Sequence, residues 1–508
     1  MQEGTKGNTG NPNGGRSYGQ LVARERQTGP YGVTERLVVP MNPDIAGGGK
    51  GPQLKTNARS DEGRGLAMSL VTPASVQNSQ MALHAKAKES PDFRFYTLYD
   101  KVYRKDVLVY AYQRCKANGG AAGVDNQTFE DIEQYDVERW LDELAQELKS
   151  RTYQPQPVRR VYIPKPDGKQ RPLGIPAIRD RVAETAAVLV LEPIFETDLQ
   201  PEQYAYRKDR SALDAVRHVH KLINTGHVEV VDADLSSYFD TVPHSELLKS
   251  MARRVVDGAM LHLIKMWLEV PVEETDERGN KHRTTRNRDE GRVTPQGSPI
   301  SPLLSNIYMR RFVLGWKKLG HEKRLAAYIV NYADDLVICC RNGAEEALAA
   351  MRIMMVTLKL TVNETKTQVR YLPEEKFDFL GYTFGRCYRP KTGQAYLGTV
   401  PAKKRIHRIC GEICKATGRN TTLLDQATVV AKLNRTMLGW ANYFCLGPVS
   451  KAYRAVDSYA VMRLRLWLRT KHKVPGRATG YFPDTYLHGV LGLVRLDQRT
   501  RNLPWAKV

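Results

Sequence analysis

Twelve residues, Ile329 to Cys340 (IVNYADDLVICC), constrain this chain more than any others. Two apolar runs, Tyr328 to Tyr332 and Leu336 to Cys340, flank Ala333-Asp334-Asp335, so the segment predicts a β-hairpin with carboxylates at its tip. Adjacent like charges beside a hydrophobic sheet repel one another and lower stability. A divalent cation removes that penalty, and Mg²⁺ prefers a few carboxylate oxygens completed by water and phosphate oxygens. Taken alone, an Asp-Asp pair reads as a polar turn rather than a metal site, because Asp favours turns.

Two earlier segments bear on this choice. Val228 to Leu235 reads as a buried strand inside VVDADLSSYFDTV (Val230 to Val242), and Asp234 at its end can supply a facing carboxylate. Two metals bridged by such carboxylates would activate a primer 3′-hydroxyl and stabilise a pyrophosphate leaving group. TPQGSPISPLLSNIYM (Thr294 to Met309) lies between the two aspartate segments. Further upstream, VRRVYIPKPDGKQRPLGIP (Val158 to Pro176) predicts two short strands joined by a turn at Pro166-Asp167-Gly168. Arg159, Lys165 and Arg171 recur there every six residues, so all three can project to one face. A helix is predicted from Arg179 to Phe195, and another over Phe129 to Leu148.

Residues 1–85 are rich in Gly, Asn, Pro, Ser and Gln, and they predict a flexible extension. Glu273 to Arg292 reads as a charged, solvated loop. The net charge is +22, of which residues 385–508 carry +18 from 23 Lys/Arg against 5 Asp/Glu. A basic field of that size attracts phosphate backbones. The N-terminus lacks an apolar signal region, and no run of 18 apolar residues occurs, so a cytoplasmic protein without membrane contact is expected. The seven scattered cysteines fit a reducing compartment. His407, Cys410 and Cys414 have a loose metal-like spacing with no second pair, so they do not read as a zinc site.

Read together, YADD between apolar strands, an aspartate-containing strand about 100 residues earlier and PQGSP between them resemble reverse transcriptases in order and spacing. FDFLGYTF (Phe377 to Phe384) resembles the family's later strand beside the palm, and LKLTVNETKT (Leu358 to Thr367) the segment before it. The chain is most similar to bacterial group II intron proteins, through IPKPDGKQRPLGIP, PQGSPISPLLSNI, YADD and LNRTMLGWANYF (Leu433 to Phe444). The resemblance spans about Phe95 to Phe444.

It implies an α+β right-hand polymerase, with fingers and an antiparallel palm over residues 86–385, a helical thumb or maturase region over 386–480, and a short basic segment over 481–508. It also implies Asp234 and Asp334 as metal ligands, Asp335 assisting, and the Leu235 carbonyl as a further oxygen ligand. The Phe239 ring would lie under the incoming sugar and exclude a 2′-hydroxyl, with a plain core aromatic as the alternative. Gln296 and Gly297 would approach nucleotide or template, where glycine permits close backbone contact. In LNRTMLGWANYF and just before it, Val430, Leu433, Met437, Ala441 and Phe444 form a core-facing stripe, leaving Lys432 and Arg435 for RNA. Arg463, Arg465, Arg469, Lys471 and Lys473 are further expected RNA contacts, removable without unfolding. The implied cofactor is a pair of Mg²⁺ ions, replaceable by Mn²⁺. The implied partners are group II intron RNA, an RNA template with a DNA primer, target DNA and deoxynucleoside triphosphates. No paired-Cys endonuclease motif occurs up to Val508, so second-strand cleavage is not expected of this chain. Two other readings remain: a different bacterial reverse transcriptase of the retron, diversity-generating or defence type, and a splicing cofactor that binds RNA without polymerising.

Overall fold

The computed structural model describes residues 70–164, 170–236, 238–276, 278–292, 297–476 and 478–502. Lys165, Gln296 and the expected turn at 166–168 lie outside the described residues. The strands are β1 (Val158–Pro164), β2 (Gln170–Ile175), β3 (Glu229–Asp234), β4 (Val272–Thr275), β5 (Lys281–Thr284), β6 (Ala327–Tyr332), β7 (Asp335–Cys340), β8 (Gln368–Tyr371), β9 (Phe377–Phe379), β10 (Tyr382–Tyr388) and β11 (Ala395–Pro401). They form three sheets, ordered β6-β7-β3-β8, β2-β1-β4-β5 and β11-β10-β9.

The first sheet is the palm, and all of its pairings are antiparallel. Its central strand β7 is the apolar run LVICC, and the reason for an unbroken run is that both faces are covered. Leu336, Ile338 and Cys340 point into a core shared with helices Ile178–Glu196, Ser301–Lys318 and Ala344–Thr357. Val337 and Cys339 point the other way, into a second core with Val230, Val330, Phe377 and Phe384.

Helix Ile178–Glu196 is buried nearly all round and contains Pro193, which cannot bond the carbonyl of Leu189. Gln80 supplies the missing donor, its Nε2 bonding Leu189 O at 3.0 Å, while a His84 ring nitrogen meets Pro193 O at 3.1 Å. These residues belong to helix Ala74–Glu89, which buries Val76, Leu83 and Ala87. Residues 74–85, expected to lie within the flexible extension, are instead helical and packed. The helix's sparse apolar residues hid it, and two of its polar side chains meet carbonyls of the proline-containing helix.

Three other expectations change. The single helix over Phe129–Leu148 is two, Phe129–Tyr135 and Val137–Ser150, separated by Asp136 at φ 102°. Asp136 Oδ1 accepts from Glu138 N at 2.9 Å and so caps the second helix. The loop expected over Glu273–Arg292 contributes β4, β5 and helix Arg286–Asp289. Its charges neutralise one another: buried Glu273 pairs with Lys281 at 3.1 Å and with Arg283, its cross-strand partner, at 2.9 Å. Finally, the boundary expected at residue 385 between the palm and the thumb or maturase region falls inside β10, because Gly385 continues that strand opposite Gly398.

The helical region begins at Lys403, with helices Lys403–Ala416, Gln426–Tyr443 and Ser450–His472. The stripe Val430, Leu433, Met437, Ala441 and Phe444 is buried as the helical spacing required. Leu487, Leu493 and Leu496 join the same core, so the described part of the expected C-terminal segment is packed against these helices.

Candidate active site

In the β3–β7 ladder Asp234 stands directly opposite Asp335. Directly opposed residues of an antiparallel pair share a face, so both carboxylates lie on one side of the palm. Asp335 is also the first residue of β7, paired with Tyr332 of β6. The hairpin turn is thus the two residues Ala333-Asp334, one fewer than expected. Ala333 takes a left-handed φ of 57°, and Asn331 Nδ2 donates to its carbonyl at 2.9 Å. Two-residue hairpins require such a positive φ to match strand twist.

Asp234 is held by residues that sequence reasoning had assigned no role. Its Oδ2 accepts from Asn363 Nδ2 at 2.8 Å and from Lys366 Nζ at 3.1 Å. Its backbone N donates to Thr367 Oγ1 at 3.3 Å, and its carbonyl accepts from Asn363 N at 2.8 Å. The only signal was the polar run NETKT between apolar Val362 and β8. Two residues before Asp234, half-buried Asp232 has its pKa pushed up to about 6, first by desolvation and then by Asp234 and Asp378, against Arg370 and Lys404.

Leu235 follows β3 with its side chain buried and bridges to Val362. Phe239 is half-buried, edge-on to Tyr238 with ring centroids 5.7 Å apart. Tyr238 is itself fixed by donating to Ser305 O at 2.8 Å. Burial, with the charge of Asp334 among its neighbours, raises the pKa of the Tyr238 phenol.

The β1–β2 register pairs Arg159 with Ile175 and Ile163 with Arg171. Arg159 and Arg171 therefore share a face, but they stand four residues apart along the hairpin, roughly 13 Å. The charge of Arg171 acts on the Tyr206 phenol together with those of Asp334 and Asp335, whereas Arg159 acts on Arg181. Gly297 has φ 116°, and a Cβ there would lie 2.3 Å from Gly174 O of β2. The close approach that demands glycine is thus to the fingers strand. Next to it, the Ser298 hydroxyl bonds the fully buried Glu184 carboxyl. Desolvation, more than any neighbour, pushes the Glu184 pKa up to about 8.

The expected RNA contacts divide. Lys432, Arg435, Arg469 and Lys473 are exposed. Arg463 instead ties two helices together, through Thr417 Oγ1 at 3.2 Å and Thr417 O at 3.1 Å. Arg465 reaches Phe482 O at 2.9 Å and the Asp484 carboxylate, and Lys471 reaches Thr422 O at 2.9 Å and Leu424 O at 2.8 Å. Neutralising these three would remove internal bonds, which revises the expectation that the whole set is dispensable for folding.

Among the described residues, no three His, Cys, Asp or Glu side chains gather tightly enough to cage a metal ion by themselves. Two carboxylates across one rung, with a third in the adjoining turn, form an open donor set. Such a set fits an ion whose remaining positions are filled by water and substrate phosphate. Among the described residues no helix is long and apolar enough to cross a membrane, and all seven cysteines are free.

Comparison with known proteins bears on both halves of the chain. Residues 163–384 match the family described as reverse transcriptase (RNA-dependent DNA polymerase), and residues 406–481 match the group II intron maturase-specific domain. Protein YkfC of Escherichia coli is 33% identical over 369 residues, covering 65% of this chain and 93% of that protein. The group II intron-encoded protein LtrA of Lactococcus lactis is 32% identical over 237 residues, 46% of this chain but 37% of that protein. The nuclear intron maturase 2 of Arabidopsis thaliana is 28% identical over 123 residues, 24% of this chain and 17% of that protein. The match to the first family carries RNA-directed DNA polymerase chemistry and its dependence on divalent metal, and the match to the second carries intron RNA binding. With an aspartate-tipped palm followed by a maturase-specific domain, this chain belongs to the group II intron-encoded reverse transcriptase and maturase family.

Proposed function

We propose that the chain extends a DNA primer on an RNA template with deoxynucleoside triphosphates, using Mg²⁺ held by Asp234, Asp334, Asp335 and the Leu235 carbonyl, and that it binds its intron RNA to promote splicing and insertion into target DNA. The observation that carries the polymerase reading is the Asp234–Asp335 rung beside the Asp334 turn. Bound there, two divalent ions would favour ionisation of the primer 3′-hydroxyl and offset charge on the pyrophosphate leaving group.

The protein's own groups do the rest. Asn363 and Lys366 hold one oxygen of Asp234, fixing which way its carboxylate faces. Arg171, with Lys165 and Arg159 along the same hairpin, draws the triphosphate into line. The Phe239 ring excludes a 2′-hydroxyl, and Gln296 and Gly297 border the base. Lys432, Arg435, Arg469 and Lys473 meet RNA phosphates.

Primer extension on an RNA template in Mg²⁺ tests the assignment. Asp234→Ala and Asp334→Ala should each abolish synthesis while intron RNA binding persists. Normal extension by either variant would overturn it.

A further inference from the structure

A cavity of about 230 Å³ is lined from helices His244–Ala252 and Ser301–Lys318, and no residue of the candidate active site lines it. Four cations, Lys249, Arg253, Arg310 and Arg311, stand there beside two carboxylates, Asp198 and Glu246. Both carboxylates already have partners. Asp198 pairs with the buried Arg254 at 3.1 Å, and Glu246 takes Lys249 at 3.1 Å and Arg311 at 2.9 Å.

Arg253 and Arg310 are left over. Arg253 is exposed, and among the described residues its side chain has no hydrogen bond or ion pair. Half-buried Arg310 donates from Nε to Asp198 O at 2.6 Å. That is its one side-chain bond among the described residues, so both Nη groups lack an acceptor there. The bond fixes the plane of the guanidinium fork. Arg253 stands on a fixed backbone, because the next residue, Arg254, donates to Ala87 O at 2.7 Å, Ser90 O at 3.0 Å and Pro91 O at 2.6 Å. Burial, and then the charge of Arg253, disfavour the Arg310 cation, against Asp198. An anion between the two guanidiniums removes that conflict, and their planar forks match the oxygens of a phosphate.

We infer that this cavity is a phosphate-binding site in which Arg253 and Arg310 hold a backbone phosphate of the intron RNA. The inference rests on the reading that the chain binds its intron RNA, and it adds a contact within the reverse transcriptase region, residues 163–384, to the exposed cations of the helical region. RNA fits better than a free anion, because Lys249 and Arg253 are exposed while Arg310 is half-buried. Such a graded wall of cations admits a chain from the solvent side, whereas a small ligand held alone is enclosed over most of its surface.

The test uses the full chain in filter binding across a salt series, with its intron RNA and with an unrelated RNA of equal length. Arg253→Gln removes a cation that has no internal bond, so its Tm should match the wild type. It should weaken the Kd for intron RNA about threefold, and Arg253→Gln combined with Arg310→Gln about tenfold. The slope of log K against log salt should become shallower by roughly 0.7–0.9. Primer extension on a short RNA template should be unchanged. If the double variant alone has a lowered Tm, Arg253→Gln decides the question. Unchanged Kd and salt slope would overturn the inference. Inorganic phosphate at constant ionic strength is the second probe. Phosphate that raises the wild-type Tm but not that of the double variant, with RNA affinity unchanged, would assign the cavity to a free anion and overturn the RNA assignment. Equal affinity of the wild type for intron and unrelated RNA would instead remove the intron-binding reading, and this inference with it.

Discussion

At the residue scale, the informative side chains are those whose surroundings conflict with their chemistry. Glu184 is a carboxyl inside the core, bonded by Ser298, with Asp180 raising its pKa and Arg181 lowering it. Its pKa of about 8 in the folded protein lies above the unfolded value of about 4.3. The native state therefore binds the extra proton across that window, and stability falls as pH rises through it. Glu184→Gln imitates the protonated form, so it should flatten the pH dependence of the urea midpoint between about pH 5 and 8. Parallel curves for wild type and variant would show that this carboxyl does not titrate there. Phe239 is a second case. Phe239→Ala should lower the preference for deoxy- over ribonucleotides by about tenfold or more, because it opens space beneath the sugar. The ratio of kcat/KM for the two nucleotides measures this, and an unchanged ratio in an active variant would make the ring a core aromatic only.

At the scale of elements, the helical region shows how a basic sequence is divided between internal and external work. Arg463 bridges helix Ser450–His472 to the end of helix Lys403–Ala416 by three hydrogen bonds. Arg463→Ala should destabilise this region by about 1–3 kcal/mol, since buried acceptors lose their partner. Lys432→Ala, on an exposed face, should change stability by less than about 0.5 kcal/mol. Thermal denaturation separates the two, and equal midpoints would show that the Arg463 bonds contribute nothing. A count of Lys and Arg cannot make this distinction. The five basic residues from Arg463 to Lys473 read alike in one dimension, whereas their helical phase turns Arg463, Arg465 and Lys471 toward neighbours and leaves Arg469 and Lys473 outside.

At the scale of the whole molecule, the basic charge and the candidate active site are separated along the chain. The carboxylates sit on the palm sheet, and +18 of the net +22 lies from residue 385 onward. Replacing Lys432, Arg435, Arg469 and Lys473 together by Ala should weaken intron RNA binding and make it less salt-dependent. Each lost phosphate contact lowers the slope of log K against log salt by roughly 0.7–0.9. Primer extension on a short template should survive. Filter binding across a salt series would show an unchanged slope if the RNA surface lies elsewhere.

Local chemistry was enough to read the hairpin, the aspartate strand and the core-facing stripe of helix Gln426–Tyr443, because apolar period and turn residues act over a few positions. The order and spacing of YADD, PQGSP and the aspartate strand were enough for the family. Tertiary structure alone decided the rest. The Asn363–Lys366 clasp on Asp234 joins residues 129 or more positions apart. Helix Ala74–Glu89 docks by burying Val76, Leu83 and Ala87 and by giving the carbonyl freed by a distant proline a donor from Gln80. Gly297 is explained by Gly174, and residues 202–204 lie along a β6 edge that they meet through Asn331. Each of these depends on a partner that chain topology delivers, and no pattern within a local window encodes the identity of that partner.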